Sequence, residues 1–119
     1  MTKYVSAEDQ KWQGIDVRGV TMEACRLWEG KYNVRSGFFR MPKGMQVPMH
    51  YHPYWVQVLV MSGKLAVKVE GEDTQIIIAG GYYFVEPGET HIETAVEDTL
   101  LFVVSEEERE ELRFSPSTS

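Results

Sequence analysis

The sequence predicts an all-β domain, a sandwich or barrel of short antiparallel strands. Three observations carry this. Apolar residues recur at every second position in short segments, Gly, Pro and Asp punctuate those segments at similar intervals, and helical periodicity is scarce. The 119 residues, 43% of them hydrophobic, fit one domain with a core of its own, so residues 1–119 are read as a single unit.

Taken in order, Ser6 followed by Asp9 predicts a short capped turn. Residues 33–41 read as a strand ended by Pro42-Lys43-Gly44, and residues 46–52 as another, stopped by Pro53. Residues 56–61 are rich in Val and Leu and turn at Ser62-Gly63. Residues 64–70 alternate most clearly: Leu65, Val67 and Val69 share one face, and Lys64, Lys68 and Glu70 share the other. After the turn at Gly71-Glu72-Asp73, strands are expected at 76–79, 82–86, 91–95 and 100–105. The acidic run 106–111, broken by Arg109, reads as a solvated last turn or helix, and 115–119 as a flexible polar tail. There is no internal repeat and no linker.

Composition narrows the function classes. The single Cys25 cannot form an internal disulfide or a two-cysteine zinc knuckle and reads as a small apolar residue. A net charge of −6 argues against non-specific nucleic-acid binding. The first residues lack the basic start and apolar run of a secretory signal, and apolar runs such as 99–104 are too short to span a bilayer. The expectation is a soluble, cytoplasmic protein with a small-molecule substrate and neither nucleic acid nor membrane as partner.

The three histidines are the candidate site. On a strand of period 2, His50 and His52 project from one face, and two imidazoles so placed can share a metal ion at about 2.0–2.2 Å. His91 follows the turn Pro87-Gly88-Glu89-Thr90, which can aim it back at the pair.

The stretch Gly44-x5-His50-x-His52, with Gly63 downstream, resembles the first motif of the cupin superfamily. The stretch Gly80-x5-Glu86-Pro87-Gly88-x2-His91 resembles the second. Together they span about residues 34–104. The resemblance implies a cupin-type double-stranded β-helix, a jelly-roll barrel, with His50, His52 and His91 as metal ligands. Two departures stand out. The family's first motif often carries a Glu ligand; counted back from Gly63 that position is Val56, and counted on from His52 it is Gln57. The second motif has its proline one residue late and Ala95 where Asn is common.

A neutral three-histidine set leaves a divalent ion its full charge, which attracts anionic, bidentate substrates. The resemblance implies a non-haem dioxygenase acting on a diketone, hydroxy-ketone or aromatic diol, with Fe(II) favoured and Zn, Mn, Ni or Cu as rivals. The alternatives are a non-catalytic metal-binding or sensor module and a zinc or manganese isomerase. No catalytic residue is named beyond the metal centre. Gln57 is either a weak fourth ligand or hydrogen-bond partner of the site, or a polar residue on the outer face of its strand. Glu89 and Glu93 read as surface charges, Glu93 being a distant candidate on parity. Arg35 and Arg40 have opposite parity, so at most one faces inward, where it would anchor a carboxylate. Aromatic residues such as Phe39, Tyr54 and Phe84 line a pocket or fill the core. Residues 100–104 are apolar on both faces, from which a homodimer is expected.

Overall fold

The computed structural model describes residues 1–107. A 3-10 turn at Ala7–Asp9 precedes ten strands. These are β1 (Gln13–Val17), β2 (Val20–Lys31), β3 (Val34–Met41), β4 (Gln46–His50), β5 (Val56–Ser62), β6 (Lys64–Val69), β7 (Gln75–Ile78), β8 (Tyr82–Val85), β9 (His91–Ala95) and β10 (Thr99–Glu106). The expected turn at Ser6 is present, although the Ser6 hydroxyl donates to the Asp9 carboxylate instead of capping the backbone.

The strands form two antiparallel sheets, ordered β1-β2-β3-β10-β5-β8 and β4-β9-β6-β7. The pairs β3·β10, β4·β9, β5·β8 and β6·β7 are nested. The chain is therefore one long hairpin, folded back at the β6–β7 turn and coiled so that successive pairs fall in alternate sheets. This is the double-stranded β-helix, the jelly roll.

Gly63 makes one of the crossings. It alone separates β5 in the larger sheet from β6 in the smaller, with φ of +89°. A Cβ there would lie 2.3 Å from the Asp98 carbonyl oxygen, so neither the backbone angle nor the space admits a side chain.

Between the sheets, Val56, Val58 and Val60 of β5 and Leu101 of β10 face Leu65 and Val67 of β6. Each such side chain contributes about 1.5–3 kcal/mol by leaving water. The alternation read over 64–70 holds, with Leu65 and Val67 buried. Leu101 of β10 is buried, whereas the outward Phe102 is half-covered and packs on Phe38, with ring centroids 5.5 Å apart. Trp12 stacks on Phe38 in turn, so the segment before β1 covers part of the outer face.

The structure corrects the sequence reading in three places. No strand is expected before residue 33, yet β1 and β2 form a hairpin that widens the larger sheet. Its turn, Arg18-Gly19, has both φ values positive (+53° and +87°), the primed geometry that suits strand twist. Secondly, the strand expected over 46–52 ends at His50. Val47 lies opposite Glu93 and His50 opposite His91, so three steps on β4 match two on β9. The extra residue is absorbed beside Pro48, which has no N–H to give to the ladder. Thirdly, Glu106 closes β10 instead of opening a helix. The rest of the 106–111 reading beyond Glu107, and the 115–119 tail, lie outside the described residues. Among the described residues no helix is long and apolar enough to cross a membrane.

Candidate metal centre

His50 closes β4, His91 opens β9, and the two are paired directly across the ladder. His52 lies two residues on, in the loop to β5. Its carbonyl accepts from the Gly88 N–H at 2.8 Å, tying this loop to the turn that presents His91. The rings converge, with centroids 4.3 Å apart for His50–His91, 4.8 Å for His50–His52 and 5.6 Å for His52–His91. One nitrogen from each lies within 4.8 Å of the others. Sharing an ion at about 2.1 Å would bring such nitrogens to roughly 3.0–3.4 Å, a short inward rotation. The three residues fit a divalent ion.

Hydrogen bonds orient the rings. His50 Nδ1 lies 2.6 Å from the Pro48 carbonyl, and His91 Nδ1 lies 3.3 Å from the Glu89 carbonyl. A carbonyl can only accept, so each Nδ1 carries the proton and each Nε2 keeps its lone pair for a metal. His52 differs. Its Nδ1 lies 3.3 Å from Arg18 Nη2, which can only donate, so this Nδ1 is the lone-pair nitrogen. Burial, and next the charge of His50 and His91, pushes the His52 pKa down to about 3. Burial is also the leading cause of the lowered pKa at His50. Neutral imidazoles are what metal ligation requires.

Gln57 does not reach the centre. It is exposed on the outer face of β5, while Val56 and Val58 face inward and line the cavity. The count back from Gly63 is thus the one the fold obeys, and an apolar Val56 stands where the motif's carboxylate would be. The carboxylate that does face the histidines is Glu93. Its Oε1 lies 3.7 Å from His91 Nε2 and 4.0 Å from His50 Nε2, and its side chain is only 12% exposed. Its other oxygen accepts from the Tyr83 hydroxyl. Reading Glu93 as a surface charge therefore misses its place, although its position two residues after His91 on one strand carried the signal.

The histidines form part of the wall of a cavity of about 470 Å³ between the sheets. Phe39 and Tyr54 line it, whereas Tyr82 and Phe84 are exposed on the far face of β8. Arg35 turns inward, and its Nη2 donates to the Tyr54 hydroxyl at 3.1 Å. Arg40, of opposite parity, lies outside against Trp12, 3.6 Å from the ring centroid. Arg18 and Arg26, from the hairpin absent from the sequence reading, complete a trio of cavity guanidiniums.

Known structures share the architecture. The chain is similar to KdgF from Halomonas sp. (16% identity, TM-score 0.78, covering 93% of this chain and 98% of that one). It is also similar to an RmlC-like cupin from Shewanella frigidimarina (19% identity, TM-score 0.76, covering 93% and 96%). A third likeness is to a predicted oxalate decarboxylase from Thermotoga maritima (20% identity, TM-score 0.77, covering 89% and 100%). No curated protein matches the chain. The family model described as "Cupin domain" matches residues 37–105, more than half of the sequence and both histidine motifs, and the chain belongs to that family.

Proposed function

We propose that the protein is a metal-dependent enzyme acting on a small organic substrate, with Fe(II) held by His50, His52 and His91 and dioxygenation as its reaction. The observation that carries this reading is the convergence of three imidazoles on the wall of a cavity of about 470 Å³, a size suited to a small molecule. Bound there, the ion supplies Lewis acidity and a redox couple for oxygen. The chain's own residues do the rest. His50 and His91 present Nε2 with their rings fixed by backbone carbonyls. The apolar walls from Val56, Val58 and Leu101 exclude water from the reacting end of a diketone, hydroxy-ketone or aromatic diol. The Glu93 carboxylate, steadied by Tyr83, is in position to take the proton such a substrate loses on becoming an enolate.

That same pair supports a second reading. A carboxylate with a phenol at its back, beside a Lewis acid, is also the equipment of a zinc or manganese isomerase. Oxygen separates the two. Iron-loaded protein should consume O2 stoichiometrically with a diketone or catechol under the first reading. Turnover that persists without O2 on zinc or manganese would replace it with the second. Metal binding without turnover on any of these substrates would leave a sensor or binding module.

A further inference from the structure

The cavity that holds the histidines is cationic in an acidic protein. Three guanidiniums, Arg18, Arg26 and Arg35, line it against two carboxylates, Asp16 and Glu93, in a chain of net charge −6. Its remaining walls are largely apolar, which strengthens any charge interaction made inside. Arg26 and Arg35 line the same cavity, and each adds its positive charge to it. The Arg26 side chain is partly covered, 32% exposed, and that burial, and next the charge of Arg35, pulls its pKa down. The carboxylate paired with Arg26 is Glu29, 3.7 Å from Nε and well exposed, so it screens this repulsion weakly. Arg35 is held by two neutral groups, donating from Nε to Ser105 Oγ at 3.4 Å and from Nη2 to the Tyr54 hydroxyl. Accepting from Arg35, Tyr54 keeps its own hydroxyl hydrogen to donate. Tyr54 also stacks on His52 at 5.1 Å, which places this polar group beside the metal centre.

From this juxtaposition we infer that the substrate is an organic acid: its chelating oxygens meet the histidine centre, and a separate carboxylate is bound by Arg35 and Arg26 with the Tyr54 hydroxyl. The inference rests on the reading of the histidines as metal ligands. A planar guanidinium matches a carboxylate in two parallel hydrogen bonds, and a bound anion relieves the repulsion between the two arginines.

The test uses two ligands matched atom for atom except at one end, 4,6-dioxoheptanoate and 2,4-heptanedione. Each is titrated calorimetrically into the full chain loaded with zinc, which has no redox couple for oxygenation, and the ligand is recovered afterwards to check that it is unchanged. The acid is expected to bind at least tenfold tighter. Arg35→Met should collapse that ratio towards one, and Arg35→Lys should keep part of it. Because Arg35 also ties Tyr54 to Ser105, thermal melts accompany it, and Arg26→Met provides a second variant expected to lower the ratio. Equal affinity for the two ligands, binding of neither at millimolar concentration, or a ratio unchanged in both methionine variants overturns the inference. The titrations are repeated on metal-stripped protein. A preference for the acid that is abolished by Arg35→Met, in a protein that takes up no metal, would reject the metal reading and retain the anion site.

Discussion

The Tyr83 hydroxyl on β8 donates to the Glu93 carboxylate on β9, joining an edge strand of the larger sheet to an inner strand of the smaller one. It engages one carboxylate oxygen and leaves the other facing His50 and His91. Burial, and next Glu93, pushes the Tyr83 phenol well above its ordinary pKa, so the donor keeps its proton at any pH the protein meets. Tyr83→Phe should cost about 1–2 kcal/mol of stability and weaken metal binding several-fold. Denaturant unfolding and competition with a chromophoric chelator measure the two effects separately. Unchanged metal affinity would mean that Glu93 does not act on the ion.

The three histidines should act as a unit. Protein purified without a tag or added metal should carry close to one equivalent of a divalent ion by elemental mass spectrometry. His50→Ala, His52→Ala and His91→Ala should each lose most of it. Equal content in any one variant would remove that residue from the ligand set.

Arg18 opposes the metal. It donates to His52 Nδ1 and places a positive charge beside the centre. Arg18→Met frees that nitrogen and removes the repulsion, so metal affinity should rise several-fold instead of falling. A drop in affinity, seen in the same chelator competition, would show that the guanidinium orients His52 productively.

Acid should destabilise the metal-free protein, beginning near neutrality. His52 titrates at about 3 in the folded chain against an ordinary value of 6.5, and His50 is shifted the same way. Between pH 6.5 and 3 the unfolded chain therefore binds more protons at His52, and stability falls as pH falls through that window. Each such histidine contributes a slope of up to about 1.4 kcal/mol per pH unit. Thermal melts of apo-protein from pH 8 to 4 should trace this, and His52→Gln should flatten the slope. A flat wild-type profile would contradict the buried, neutral assignment.

Gly63→Ala should be among the most damaging single substitutions. It combines a positive φ with a Cβ driven into the Asp98 carbonyl and Thr99 Oγ1, at 2.3 and 2.6 Å. A loss of about 2–4 kcal/mol is expected, read by urea unfolding. Gly44→Ala shares the positive φ but has open space around the new Cβ, so it should cost less.

The strand pattern from Val34 onward was legible because the strands there are short, most of them end close to glycine or proline, and β6 alternates cleanly in polarity. The hairpin of β1 and β2 alternates as well, with Met22 and Ala24 buried and Thr21 and Glu23 exposed. Its turns, however, are Arg18-Gly19 and Tyr32-Asn33, and an arginine or tyrosine at positive φ is no ordinary turn signal. Missing that hairpin also meant missing Arg18 and Arg26. The histidine trio was readable because its motifs fix local turns. The contact between Arg18 and His52 joins residues 34 apart in sequence and depends on how β1 and β2 close over the sandwich. Gln57 and Val56 differ by one residue, and only the crossing at Gly63 decides which of them faces in.

The two sheets divide the site between them. His50, His91 and Glu93 belong to the four-stranded sheet, whereas Arg26, Arg35 and Val56 belong to the six-stranded one. An organic acid gripped at both ends would brace one sheet against the other, as a strut braces two panels. Part of its binding energy would then appear as resistance to their separation. Amides of β4 and β9 should exchange hydrogen more slowly when it is bound, even where no atom of the ligand touches them.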